Sequence, residues 1–239
     1  MDEKANEIVA IPHLLRLLDI RGCTVTIDAM GCQAAIARQI VDQGGDYVLA
    51  LKDNHPTLHD DVRAIFAEAR ATGFADLAPE HHSGAKTVGK DHGRLEIRRA
   101  WTISAPEVLA YLDEAGRWAG LGGIGLVEAE RRIGDQRGVE VRHFLFSAPL
   151  DAATFASIAR RHWGVENKLH WVLDVTCNED ACRVRARHAA QNLAALRHLA
   201  LNLLRRDATR RGSVATKRFR AALDQGYLAT LLATATATE

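Results

Sequence analysis

The stretch CTVTIDAMGCQAAIARQIVDQGGDYVLALKDN, residues 23–54, decides the fold class. Its first part, CTVTIDAM, is a short β-branched run that ends in an acid, and its last part, DYVLALKDN, has the composition of a buried strand. Between them, QAAIARQIVDQGG has the spacing of an amphipathic helix closed by glycines. A helix-length connection implies parallel pairing through a right-handed crossover. The sequence therefore predicts an α/β sheet with Asp28 at the carboxyl end of a strand, where such sheets place their chemistry.

The pattern changes twice further along the chain. HPTLHDDVRAIFAEARAT predicts another helix with Thr57 as its N-cap. From about residue 84 to 149, GRLEIRRAWTIS, GIGLVEAERRIG and VEVRHFLFSA alternate apolar and polar residues, which indicates antiparallel strands inserted into the α/β framework. Helices are predicted again over 151–173 and 186–207. We therefore expect an α/β part over 1–83, a β insertion over 84–149 and a helical C-terminal region over 150–239.

Composition limits the class of protein. A chain of 239 residues, 47% hydrophobic and 26% charged, can bury one sizeable core or two small ones. No apolar run is fit for a signal peptide or long enough to cross a bilayer, so we expect a cytoplasmic protein without a membrane partner. Four Cys are too few for a disulfide scaffold, and the spacing of Cys177 and Cys182 suits neither a zinc knuckle nor a redox motif.

A balanced net charge of +1 hides a basic C-terminal region. From Arg183 to Arg220 there are eleven Lys and Arg and one acid, Asp207. Basic segments of this kind commonly face phosphates, because counterion release favours binding. A solvated basic helix face is the alternative. The arginines that we expect to bind DNA in this region are Arg183, Arg185, Arg187, Arg205 and Arg206.

The segment RRHWGVENKLHWVLDVTCNED, residues 160–180, combines aromatic surface with charge. On a helix, His162, Glu166, His170 and Asp174 would lie at successive i+4 positions and so share one face. A helix that only packs against a core does not require four ionisable residues in this arrangement. The two histidines could bind a transition metal, but hydrogen-bonding roles suit them better. This segment is therefore expected to be part of a site.

Several motifs together resemble one known family. TVTIDAMGCQ, IVDQGGDYVLALKDN, HGRLEIRR, RRHWGVENKLHWVLDVTCNEDACRVR and NLAALRHLALNLLRR are similar to the bacterial insertion-sequence transposases of the H-repeat-associated group, relatives of the DDE cut-and-paste enzymes. The motifs occur in order from about residue 3 to about residue 230, so the resemblance covers nearly the whole chain.

The resemblance implies an RNase H-like fold with an inserted β region, and DNA strand cleavage and transfer. By similarity, Asp28 is the second and Glu166 the third of three carboxylates that hold two Mg²⁺ (or Mn²⁺) ions. The chemistry agrees, because hard cations prefer carboxylate oxygens and two metals about 4 Å apart serve both the attacking and the leaving oxygen. From the residues alone, Asp28 could instead cap a helix, and Glu166 could be a solvated acid.

One departure from the family lies near the third acid. Related transposases often carry a Tyr and an Arg before it and a Lys seven positions beyond it, where this chain has Ala159, His162 and Leu173. Arg160 or Arg161 is therefore expected to contact phosphate instead.

The second departure concerns the first catalytic Asp. The family has it on an earlier strand, and neither Asp2 nor Asp19 follows a plausible strand here. We therefore expect an N-terminally truncated transposase that is inactive as written. A non-catalytic remnant that occupies transposon ends and a metal-dependent nuclease of the same fold are the alternatives. DNA, as transposon ends and target, is the expected partner, and a homodimer in the DNA complex is compatible with the sequence.

Overall fold

The computed structural model describes residues 7–91, 94–134 and 136–236, and the chain divides into two compact units between His162 and Trp163. Unit 1 precedes the division and unit 2 follows it. Unit 1 contains a mixed sheet with helices on both faces, and its last helix, α5, runs across the division. The elements up to α5 are α1 (Glu7–Leu17), β1 (Thr24–Ile27), α2 (Ala34–Asp42), β2 (Asp46–Leu51), α3 (Pro56–Ala71), β3 (His82–Asp91), β4 (Arg94–Ile103), α4 (Pro106–Leu112), β5 (Gly123–Ile133), β6 (Gln136–Phe146) and α5 (Ala152–Val165).

Six strands form one sheet in the order β1-β2-β6-β5-β4-β3. β1 and β2 pair in parallel, with Thr24 opposite Asp46, which confirms the strand-helix-strand prediction for residues 23–54. The other neighbouring pairs are antiparallel. Among the described strands, β1 and β3 therefore form the two edges. The mixed α/β class is confirmed, and the RNase H-like assignment stays a prediction.

Helices cover the two faces of the sheet differently. On the face that carries Leu49 and Leu126, here called the α3 face, helices α1 to α4 pack over the larger core. On the face that carries Val48 and Phe144, here called the α5 face, Phe155 of α5 is fully buried in a second core. β2 is therefore apolar on both sides, which explains why DYVLAL reads as a continuous buried run.

Three local predictions differ from the structure. Helix α3 is capped by His55 and begins with Pro56, whose fixed φ suits the first helical position, so Thr57 is not the N-cap. Strand β3 was not predicted, because HSGAKTVGKD lacks alternation. The single helix expected over 151–173 is α-helical only to Val165 and then π-helical.

Unit 2 is helical in the part that the structure describes. After two π-helical turns, Glu166–His170 and Val172–Thr176, come α6 (Ala189–Arg206), α7 (Val214–Leu223) and α8 (Gln225–Thr236). Leu204, Tyr227 and Leu231 form the small core of these three helices. The predicted partition into 1–83, 84–149 and 150–239 stays a prediction. The strands between 82 and 146 belong to the same sheet as β1 and β2.

We predict that His143 makes unit 1 less stable in mild acid. Burial, with the charges of His59 and Arg63, lowers the pKa of His143 to about 4, whereas an unfolded chain binds this proton near pH 6.5. The unfolded state therefore takes up the proton first, and the free energy of unfolding falls as pH drops from about 6.5 towards 4, by about 2 kcal/mol at pH 5.

Urea unfolding at pH 7.5 and pH 5 measures this loss. His143→Phe should make the loss smaller, while the control His188→Ala, at an exposed position, should behave as the wild-type chain does. An equal loss in wild type and His143→Phe would contradict the prediction.

Candidate functional site

Asp28 lies where β1 ends, in a turn that its own side chain stabilises. Its Oδ1 accepts hydrogen bonds from the backbone N–H of Met30 at 3.2 Å and of Gly31 at 3.4 Å. The residue is exposed. Because β1 and β2 are parallel, their carboxyl ends meet at one edge of the sheet, and Asp28 stands at that edge.

Two polar residues that follow β2 hold the Asp28 loop in place. Asn54 Nδ2 donates to the carbonyl oxygens of Ala29 at 2.7 Å and Cys32 at 3.3 Å. A further hydrogen bond of 2.7 Å joins His55 Nε2 to the Cys32 carbonyl. Sequence reasoning missed these roles, although a polar run directly after a parallel strand was the available signal.

The C-terminal part of α5 lies against β1. His162 Nδ1 is 3.1 Å from Thr26 Oγ1, so this histidine has the hydrogen-bonding role that its sequence context favoured. Thr26 lies two residues before Asp28. Its cross-strand partner Val48 points to the α5 face, so Thr26 points to that face as well. Helix α5 therefore reaches the strand that leads into Asp28.

Glu166 begins the first π-helical turn of unit 2, and its side chain lies outside what the structure describes. A π-helical turn bonds each N–H to the carbonyl five residues earlier, and such turns are frequent at functional sites. The i+4 steps expected between Glu166, His170 and Asp174 therefore do not follow a regular α-helix.

Arginines of α6 and α7 bond to this π-helical segment within unit 2. Arg205 donates to the carbonyl of Lys168, and Arg218 donates to the carbonyl of Thr176. Arg197 lies 3.5 Å from Glu179, which follows the π-helical segment. Part of the basic region thus stabilises the segment that carries Glu166.

The arginines predicted to bind DNA fall into two groups. Arg185 bonds to the carbonyls of Cys182 and Val184, and Arg205 to that of Lys168. The others are exposed and make no hydrogen bond or ion pair with a described residue: Arg160, Arg161, Arg183, Arg187 and Arg206.

A buried ion pair joins the three helices of unit 2. Lys217 Nζ lies 3.3 Å from Asp207 Oδ2 and donates to the carbonyls of Leu204 and Asp207. Hydrogen bonds from Thr209 and Tyr227, together with the one from Lys217, outweigh burial and hold the pKa of Asp207 well below its usual range. Every N–H of the ammonium group therefore has an acceptor, which is the condition for a stable buried pair.

Two absences hold for the part of the chain that the structure describes. No group of three or more His, Cys, Asp or Glu side chains there could hold a metal ion. None of the described helices is long and apolar enough to span a membrane.

Comparison with known proteins identifies the family. The family profile described as "Transposase DDE domain" matches residues 2–203, so the chain belongs to this family. It is 42% identical over 236 residues to the "H repeat-associated putative transposase YhhI" of Escherichia coli K12, and 38% identical over 236 residues to the "Putative transposase YncI" of Escherichia coli O157:H7. Both alignments cover 97% of this chain but 60% and 58% of the relatives. The chain thus spans about three fifths of the length of these relatives.

We predict that the Lys217–Asp207 pair is required for the three-helix arrangement of unit 2. Asp207→Ala leaves a buried ammonium group without its carboxylate, which costs more than removing both charges. The single variant should lower the melting temperature more than the double variant Asp207→Leu/Lys217→Met does. Circular dichroism and hydrogen exchange of α6–α8 measure this difference, and a double variant that melts below the single one would contradict it.

Proposed function

We propose that this chain acts in DNA transposition as part of a DDE transposase, in which Asp28 and Glu166 supply two of the three metal-binding carboxylates. The single observation that carries the proposal is the family match over residues 2–203, in a chain whose Asp28 is exposed where two parallel strands end. The substrates would be transposon ends and target DNA.

The carboxylate of Asp28 suits a hard divalent cation. One oxygen is fixed by two backbone N–H groups, while Oδ2 makes no hydrogen bond with a described residue. Such an oxygen is the ligand type that Mg²⁺ or Mn²⁺ prefers. When bound, the metal pair would activate the attacking oxygen and stabilise the leaving one. The role of Asp28 is to present its free oxygen, and Asn54 keeps the loop in position for this.

The family motif in which Glu166 stands, four residues after His162, is the support for this residue as the second ligand. We assign no first acid among residues 1–239. We therefore propose that this stretch alone binds metal weakly and does not transpose, because a bridging acid positions the nucleophile and the leaving group together.

A strand-transfer assay with matched transposon ends and Mg²⁺ tests this proposal. The chain as given should not join DNA ends, whereas a version extended at its N-terminus with the corresponding segment of YhhI should. In the extended version, Asp28→Asn and Glu166→Gln should each abolish joining, since each removes a metal-binding charge. The control Glu68→Gln, which removes an exposed acid of α3, should leave joining intact.

Each other outcome has a definite meaning. Joining by the unextended chain would show that two acids suffice or that the first acid lies within these residues. Metal-dependent cleavage without joining would favour the nuclease alternative. DNA binding with no cleavage in either version would favour a non-catalytic remnant that occupies transposon ends.

For DNA binding we propose the basic region from Arg183 to Arg220. Five of its eleven cations bond to protein groups: Arg185, Arg197, Arg205, Lys217 and Arg218. The other six are exposed and make no hydrogen bond or ion pair with a described residue: Arg183, Arg187, Arg206, Arg210, Arg211 and Arg220. These six are the cations that phosphates could pair with.

We predict a steep salt dependence of DNA affinity. If about six cations of this region contact phosphates, log K should fall with log salt with a slope near −5. Arg187→Gln/Arg206→Gln should make this slope shallower by about 2, because each lost contact removes about 0.9. Fluorescence anisotropy with labelled duplex DNA at several salt concentrations measures the slope.

The matched control is Arg38→Gln/Arg117→Gln, which removes two exposed arginines of unit 1. This control should keep the wild-type slope. A wild-type slope near zero, or equal slopes for the two double variants, would contradict the assignment.

A further inference from the structure

Two histidines face each other between helix α3 and strand β6 in unit 1. Nε2 of His59 on α3 lies 3.1 Å from Nδ1 of His143 on β6, and the two ring centroids are 5.0 Å apart. His143 pairs with Leu126 across the sheet, so it points to the α3 face. It is 7% exposed, and the side chain of His59 is 15% exposed. A helix and a strand therefore hold two ring nitrogens at a fixed separation.

An acid decides which nitrogen of His59 carries the proton. Oδ1 of Asp53 lies 3.4 Å from Nδ1 of His59. A carboxylate there favours the proton on Nδ1, so Nε2, which faces His143, carries a lone pair. Metal-binding histidines in proteins usually have this arrangement, with a carboxylate on one ring nitrogen and the other nitrogen open.

His143 can present a lone pair to the same point. Burial, with the charges of His59 and Arg63, lowers the pKa of His143 to about 4, so its imidazole is neutral at neutral pH. Without a cation between the rings, Nδ1 of His143 donates a hydrogen bond to Nε2 of His59. A cation that binds both nitrogens takes the place of this hydrogen, which moves to Nε2 of His143. Both imidazoles stay neutral in this exchange.

The separation of the two nitrogens suits one shared cation. Two nitrogens that each lie about 2.0–2.1 Å from a Zn²⁺ ion are about 3.1 Å apart when they subtend an angle of about 100° at the metal. The nitrogens of His59 and His143 have this separation. The pair therefore has the geometry of two neighbouring ligands, and binding needs no movement of α3 relative to β6.

A cavity beside the histidines leaves room for the other ligands of a cation. It has a volume of about 610 Å³, and both histidines line it. Among the described residues, no third His, Cys, Asp or Glu completes the pair, so water or an external donor would fill the remaining positions, as in an open metal site. Arg63 also lines the cavity, but it pairs with Asp60 at 3.1 Å, which offsets its charge.

We propose that His59 and His143 bind Zn²⁺ or a similar transition-metal cation, with Asp53 as a positioning residue and the open coordination positions facing the cavity. Imidazole nitrogen suits Zn²⁺, Ni²⁺ and Cu²⁺, whereas Mg²⁺ prefers oxygen ligands. This site is therefore chemically distinct from the carboxylate site proposed at Asp28. The bound cation would link α3 to β6, and the proposal does not depend on activity in DNA transposition.

The first test titrates the full chain, stripped of metal with a chelator, with Co²⁺ and then with Zn²⁺. Co²⁺ should give visible absorption without the charge-transfer band that thiolate ligands add, and Zn²⁺ should displace it. His59→Gln and His143→Gln should each abolish this absorption at Co²⁺ concentrations that saturate the wild type. The control His188→Gln/His198→Gln, which removes two exposed histidines of unit 2, should keep the wild-type affinity.

Asp53→Asn tests the positioning role without disturbing the core. The side chain of Asp53 is fully exposed, so this variant should fold as the wild type does. Loss of the orienting carboxylate should weaken Co²⁺ binding by about tenfold. Saturating Zn²⁺ should raise the melting temperature of the wild type and of the histidine control, since a ligand of the native state stabilises it. The melting temperature of His59→Gln should not change with Zn²⁺.

The other outcomes are decisive as well. No Co²⁺ absorption by the wild-type chain would overturn the proposal, and so would wild-type affinity in both His59→Gln and Asp53→Asn. A thiolate band that disappears in Cys177→Ser/Cys182→Ser would assign the metal to cysteines and overturn it too. Asp28→Asn should leave the Co²⁺ absorption unchanged, so this site and the carboxylate site can fail independently of each other.

Discussion

The packing of Phe155 against Gly125 fixes helix α5 on the sheet, and the contacts that the end of α5 makes in unit 1 depend on that position. A Cβ at Gly125 would lie 2.4 Å from the Phe155 ring, so a glycine is required for α5 to approach this closely. Full burial of a phenylalanine side chain contributes about 1.5–3 kcal/mol, and Phe144 adds an edge-to-face contact at 5.3 Å. With α5 held there, His162 bonds to Thr26 and the charge of Arg160 acts on Glu96.

Sequence periodicity predicted the centre of unit 1 because burial there is regular. Residues 23–54 contain two strands, an amphipathic helix between them and turn glycines, and the second strand is buried on both faces. Each of these sequence signals agrees with the parallel pairing observed. Strand β3 lacks such a signal. It is an edge strand whose outer half is exposed on both faces, so ladder hydrogen bonds to β4 hold it in place and its side chains need not alternate.

The candidate site could be predicted only where a motif carries the chemistry. Asp28 is recognisable as an acid at a strand end, but the residues that position its loop are not, because Asn54 and His55 act through carbonyl oxygens brought close by the crossover. The π-helical turns after Val165 could not be predicted from the sequence either. Apolar residues in this segment have α-helical spacing, and nothing local to the sequence shows that hydrogen bonds there close five residues apart.

The total charge of the C-terminal region likewise conceals two different roles for neighbouring arginines. Arg205 donates to the Lys168 carbonyl and Arg218 to the Thr176 carbonyl, so both stabilise the π-helical segment that begins at Glu166. Arg206, the next residue after Arg205, is exposed and bonds to no described residue. Arginines that hold the π-helical segment and arginines that bond to no described residue therefore lie side by side on α6. Under the proposed function, phosphates along α6 would compete with backbone carbonyls for the same guanidinium groups, so DNA binding there would act directly on the segment that carries Glu166.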